Sequence, residues 1–206
     1  MINIGNRREC FFDDYLIDMQ KTTARLMLHS PVKRERVMLH DLDWEGDDCG
    51  SHTFFFDDRW YGCDGAFAKG TYRMYYRVHR TAAYDPSPSR SEDIAICYAE
   101  SPDGINWVRP DLGLYEWNGN IHTNIVLDKT IHDDLCTCYV FRDPNPDCPP
   151  DEKYKLISAY DEPKKPNGEK GKFRLFCYPS SDGIHFRQGY MLTDKGYFDS
   201  VLSNTR

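Results

Sequence analysis

Aspartates recur in this sequence at matched spacing. Asp48 and Asp57 stand nine positions apart, as do Asp134 and Asp143, and each pair brackets an apolar run. A third run, Tyr197-Phe-Asp-Ser-Val201, sets Asp199 in the place that Asp48 and Asp134 hold in theirs. Carboxylates gathered at the mouths of neighbouring strands can exchange protons when their surroundings push their pKa values apart. The plainer role is an Asp at a strand entry or exit that caps its own turn. Spacing alone leaves both open. Trp44 and Glu45 precede the first run, and His52 and His132 lie close to the two strand starts.

The elements that must position these groups read as strands. Apolar and polar residues alternate in His52–Phe56, Thr71–Val78 and Ile94–Ala99, and again in Leu135–Phe141, Tyr154–Tyr160 and Phe173–Tyr178. Gly, Pro and Asp separate the runs, which is strand-and-turn patterning. Ser101-Pro-Asp-Gly-Ile-Asn-Trp107 follows the third run of the first set, and Ser181-Asp-Gly-Ile-His-Phe186 follows the third run of the second. An Asp-Gly pair between a strand and an aromatic is tight-turn chemistry, because Gly accepts positive φ and Asp bonds its own backbone. Two such units in the same order are what repetition of small antiparallel sheets leaves in a sequence. The predicted class is all-β: four-stranded antiparallel blades of a β-propeller, two complete and the start of a third. Residues 84–91 and 162–171 read as solvated loops, and no amphipathic helix of useful length is visible. Because the chain stops at Arg206, inside what should be the first strand of a third unit, it reads as the N-terminal part of a longer protein.

Composition narrows the function classes. The 206 residues carry 26 basic and 33 acidic side chains, a formal charge of −7 without a basic cluster. That excludes nucleic acid and anionic membrane as expected partners. No export signal and no membrane-length apolar run are visible, so the expected compartment is the cytoplasm. Eight cysteines contain no C-x-x-C pair and read as buried thiols. Cys136 and Cys138 are expected on one strand, facing the same side. Aromatics reach 14% of the chain, suited to packing between sheets and to stacking on sugars.

These residues resemble the five-bladed β-propeller glycosidases, the superfamily of glycoside hydrolase families 32 and 43. Ser101–Trp107 is similar to the S-x-D-G-x-x-W hairpin at blade ends there, and Phe141-Arg-Asp-Pro144 to the R-D-P motif of family 32. Phe11–Ile17 with His29–Lys33, and Asp143–Asp147 with Lys153-Tyr-Lys155, resemble a bacterial branch of glycosidase-like propellers. The W-M-N-D-P motif of family 32 is absent, and its E-C-P motif would lie beyond Arg206. The resemblance implies an N-terminal extended segment over residues 1–40, packing on a propeller that occupies 41–206.

It also implies an activity. Such enzymes set three carboxylates at a central funnel: a base or nucleophile, an acid for the leaving oxygen, and a third that orients the sugar. A separation of about 5–5.5 Å gives retention and about 6.5–9.5 Å gives inversion. Carried over, Asp48 is the base, Asp134 the orienting carboxylate, and Asp199 stands where an acidic Glu is expected, one methylene shorter. Asp143 either stabilises the oxocarbenium ion or, like Asp57, is a repeated structural Asp before a turn. Trp44 and Glu45 would line the funnel entrance, Arg142 would bind substrate beside Asp143, and His52 or His132 would contact substrate or a central cation. Trp107 and Trp117 either stack on sugar or pack. No dedicated cofactor is implied, although calcium occurs near the axis in some relatives. The expected partner is a carbohydrate, with homo-oligomers through exposed sheet edges. The competing readings are a non-catalytic carbohydrate-binding propeller and an inactive fragment.

Overall fold

The structure is a computed structural model and describes residues 3, 5, 10, 12–46, 48–58, 70–79, 94–128, 130–131, 135, 137–161, 171–196 and 198. The expectations for Asp134, Asp199, His132 and Cys136, and for the loops at 84–91 and 162–170, fall outside these residues. The chain divides into two units, 1–35 and 36–206. In the first, turns within residues 12–21 are stapled by aspartates: Tyr15 N donates to Asp13 Oδ1 and Gln20 N to Asp18 Oδ1.

The second unit is all-β. Strands β1 (Asp48–Asp57), β2 (Thr71–His79), β3 (Ile94–Ser101) and β4 (Ile125–Asp128) form one antiparallel sheet in sequence order. Strands β5 (Tyr139–Arg142), β6 (Tyr154–Asp161), β7 (Phe173–Ser180) and β8 (Tyr190–Thr193) form a second with the same order. Among the described residues, helical structure is confined to the 3-10 turn Pro150–Glu152. None of those residues lies in a helix long and apolar enough to cross a membrane.

The two sheets repeat each other residue by residue. Phe55 pairs with Arg73 across β1–β2, and Phe141 with Lys155 across β5–β6. Both outer pairings carry a register shift, one between Ile96 and Cys97 and the other between Leu175 and Phe176. A bulge of this kind bends the strand and increases its twist, so its repetition gives both sheets the same curvature. β1 runs from Asp48 to Asp57 as expected. β5 is shorter than the sequence predicts. Ala159 N takes the Thr137 hydroxyl at 3.1 Å, and Cys138 O accepts from Thr53 Oγ1 at 3.2 Å. Side chains thus replace ladder bonds before Tyr139, and Cys138 sits as a buried thiol ahead of the strand.

One apolar core fills the space between the sheets. Tyr75, Ile96, Tyr98 and Val126 meet Val140, Leu156, Tyr178 and Phe186 there, with Leu135 and Cys138. A second core lies on the other face of the first sheet, where Met74, Tyr76, Val78 and Ile125 pack under Trp44. Burial of each such large side chain is worth about 1.5–3 kcal/mol.

The two Asp-Gly turns are copies, in a register one residue from the sequence reading. Ser180, not Ser181, matches Ser101. Ser101 Oγ accepts Gly104 N and Ser180 Oγ accepts Gly183 N, each at 2.9 Å. Asp103 Oδ1 accepts Ile105 N, and Asp182 Oδ1 accepts Ile184 N, each at 2.8 Å. Gly104 and Gly183 hold φ of 77° and 79°, a region in which a Cβ is strained.

Candidate functional site

Because β1 and β5 are the first strands of their sheets, each leaves one edge unpaired within its sheet. A cleft of about 580 Å3 runs along these two strands. Phe54, Phe56, Tyr139 and Phe141 supply aromatic surface, and Arg142, Asp143 and Lys153 supply charge. Tyr139 and Phe141 stack with ring centroids 5.6 Å apart. Arg142 Nη1 reaches Asp58 Oδ1 at 3.3 Å, which ties the end of one first strand to the end of the other. Aromatic faces beside a few fixed charges suit a ligand with an apolar face and polar edges, as a sugar ring has.

Asp143 lies in this cleft, and its bonding identifies what it does. Lys155 Nζ donates to Asp143 Oδ2 at 2.5 Å, and Asn145 N donates to Oδ1 at 2.9 Å. The bond from Lys155 holds the carboxyl below its ordinary pKa. An ionised Asp143 can stabilise positive charge but holds no proton to give. Its counterpart Asp57 is fully buried between the sheets. Arg73 Nε stands 3.4 Å from Asp57 Oδ2, and the Tyr154 hydroxyl donates to the same oxygen at 2.5 Å. Each pair spans the same diagonal: the cation faces the residue two before the aspartate. Asp143 is therefore the second copy of a repeated acid–base brace, which also serves as a wall of the cleft.

The first brace crosses to the second sheet. Arg73 Nη1 donates to Asp182 O at 2.7 Å and to Tyr75 Oη at 3.0 Å, and Tyr75 Oη donates to Gly183 O at 2.9 Å. The guanidinium also lies 4.8 Å from the Tyr154 ring centre. Burial alone would lower the Arg73 pKa, but the surrounding tyrosines and Asp57 keep it raised. Burial pushes the Tyr75 hydroxyl up to about 12, so it remains a donor at neutral pH.

Glu45 and Trp44 are buried on the other face of the first sheet, away from the β5 side. Trp44 Nε1 donates to Asn124 Oδ1 at 2.7 Å. Glu45 Oε1 accepts the Tyr76 hydroxyl at 2.7 Å, and Oε2 accepts Leu42 N at 3.0 Å and Arg109 Nη1 at 2.9 Å. Burial by itself would raise this carboxyl. The contacts with His40, Leu42 N, Tyr76 and Arg109 outweigh it and bring the pKa down to about 2. His52 meets His40 across an Nε2–Nε2 contact of 3.0 Å and stacks on Tyr76. Burial and then the His40 charge lower its pKa.

Of the sequence-derived catalytic carboxylates, Asp48 and Asp143 fall among the described residues, and they do not share one place. Asp48 opens β1 opposite His79, whereas Asp57 closes it opposite Thr71. The intervening strand is about 30 Å of extended chain, so Asp48 and the Asp143 end of the cleft form separate environments. Trp107 donates Nε1 to Gly104 O at 3.0 Å, and both Trp107 and Trp117 pack on the second core. Among the described residues, no group of three or more His, Cys, Asp or Glu side chains is placed to hold a metal ion.

Sequence reading gives no site role to Arg73, Tyr154, Lys155 and Arg109, although Lys153-Tyr-Lys155 is quoted beside Asp143–Asp147 for the resemblance. A signal for two of them existed: both second strands carry the same Tyr-basic-apolar step, Tyr72-Arg73-Met74 in one and Tyr154-Lys155-Leu156 in the other. Comparison with protein-family models, curated proteins and solved structures finds no match to this chain.

Proposed function

We propose that the two sheets are consecutive blades of a β-propeller of the five-bladed glycosidase type, and that the chain acts on carbohydrate. The observation that carries this reading is the cleft along β1 and β5, which combines four aromatic side chains with Arg142, Asp143 and Lys153. First strands of successive blades face the axis in propellers, where ligand funnels form. The proposed reaction is hydrolysis of a glycosidic bond. Asp48 is the base, with Asp134 and Asp199 as the companion carboxylates, whereas Asp143, in its separate environment, holds sugar along the cleft with Arg142. The test is a panel of neutral and acidic oligosaccharides, followed by calorimetry for binding and by reducing-sugar release for turnover. Saturable binding with release that disappears in Asp48→Asn supports the reading. Absence of both removes it.

A second reading, a non-catalytic carbohydrate-binding propeller, is favoured by one observation. Asp143, the acidic side chain lining the cleft, is held ionised by Lys155 and is unable to protonate a leaving group. Binding without release in the same panel would select it.

A further inference from the structure

The equivalence of the two sheets exposes a difference between them. Ile184, in the turn of the second sheet, is 5% exposed, whereas Ile105, its counterpart in the first, is 47% exposed. Val140, opposite Leu156, is 0% exposed, whereas Phe54, opposite Met74 in the same register, is 68% exposed. Ile184 and Val140 are covered because the second sheet lays that face and its turn on the first sheet. The same face of the first sheet carries the same turn, and around Phe54 and Ile105 it is open.

The complementary surface is on the second sheet. What receives the Asp182-Gly183 turn is a brace, Arg73 held by Asp57, beside Phe55. Its counterparts are Lys155 held by Asp143, beside Phe141. They occupy the face of the second sheet that points away from the first, because Val140, Leu156 and Tyr178 alternate with them and point into the core. Lys155 donates to Asp143 Oδ2 and to Cys148 Sγ, and an ammonium has three donors, so one proton remains.

We propose that this chain associates head to tail with a second copy of itself. The Asp103-Gly104 turn and Phe54 of one copy seat on the Lys155–Asp143 brace and Phe141 of the next, repeating between chains the contact that joins the two sheets within one. The occupant follows from charge and shape. The open turn offers the Asp103 carbonyl, counterpart of the Asp182 carbonyl that Arg73 meets, and an apolar Ile105, and the brace offers one ammonium proton and an apolar Phe141. Since the two faces differ, the contact is heterologous, and copies add until rotation closes a ring or a filament grows.

Light scattering on a size-exclusion column, over a range of loading concentrations, tests the proposal on the full chain. Wild type is expected to show a mass above one chain that rises with concentration. Ile105→Arg removes the turn-side face and Phe141→Arg the brace-side face, so each alone is expected to run as one chain. Mixed, they retain one good face of each kind and are expected to give a mass of two chains and no higher. This recovery shows that both variants are folded. A monomeric wild type at every concentration overturns the proposal, as does assembly that either variant leaves unchanged. A mixture that stays monomeric while both variants melt cooperatively also overturns it.

Discussion

Arg73 and Asp182 lie 109 positions apart in sequence, yet Arg73 Nη1 donates to the Asp182 carbonyl at 2.7 Å. This bond joins the second strand of one sheet to the Asp-Gly turn of the other. The same guanidinium faces Asp57, and neither side chain of that pair is exposed. One cation therefore neutralises a buried acid and fixes where the second sheet sits.

Removing it leaves that acid uncompensated. Arg73→Met is expected to destabilise the protein by about 3–5 kcal/mol, the usual result of breaking a buried pair from one side. For a chain of this size, each kcal/mol lowers Tm by about 2–4 °C. Thermal melts of the variant and of Arg73→Met with Asp57→Asn should show the double variant recovering part of the loss. A single variant within 1 °C of wild type contradicts the assignment.

The turn glycines separate packing from backbone strain. Gly104 and Gly183 share the same positive φ, so either alanine variant carries that strain, of order 1 kcal/mol. A Cβ on Gly104 meets nothing nearer than the Tyr72 ring at 3.7 Å, whereas one on Gly183 collides with Arg73 and with the Tyr75 hydroxyl. Gly183→Ala is expected to lower the urea midpoint clearly more than Gly104→Ala. Equal midpoints would mean that the turn does not seat under Arg73.

Glu45 gives the stability a defined acid limb. Its folded pKa of about 2 lies below the ordinary value of 4.5, so the unfolded chain binds the extra proton. Stability from this group is complete above about pH 4.5 and is lost as pH falls through about 2. Urea midpoints recorded from pH 2 to pH 7 should fall more gently on the acid side in Glu45→Gln. That variant should also be less stable at pH 7, because Arg109 loses its partner.

The two aspartates at opposite ends of the cleft strands should behave differently. On the glycosidase reading, Asp48→Asn lowers turnover by about 10²–10⁴-fold, the scale of general acid–base catalysis, with little change in Tm. Asp143→Asn strips Lys155 of its partner and should cost stability first. Paired turnover and melting measurements on both variants discriminate. An Asp48→Asn variant with wild-type turnover removes Asp48 from the mechanism.

Much of the architecture is local in origin and was legible. Period-two alternation located six of the eight strands, leaving β4 and β8 unread, and the Asp-Gly pairs located both turns, because strand pleat and positive φ are written in neighbouring residues. The bounds of β1, Asp48 to Asp57, followed from the aspartates themselves. β5 was overread because Leu135 and Cys138 are as apolar as strand residues, while Cys138 O accepts the Thr53 hydroxyl and Ala159 N donates to the Thr137 hydroxyl, partners that only the fold brings near.

By itself, then, the sequence determined an all-β chain of two equivalent units, each with an acid closing its first strand and a glycine turn after its third, and the structure added the fourth strand of each. Only the tertiary structure decided what those acids meet. Asp57 finds Arg73 inside a sealed core, Asp143 finds Lys155 beside an open cleft, and Glu45 finds Tyr76 and Arg109 under the far face of the first sheet. The physical reason is range. Backbone preference acts over a few residues, whereas a carboxylate's charge state is set by groups within a few ångströms that come from anywhere in the chain.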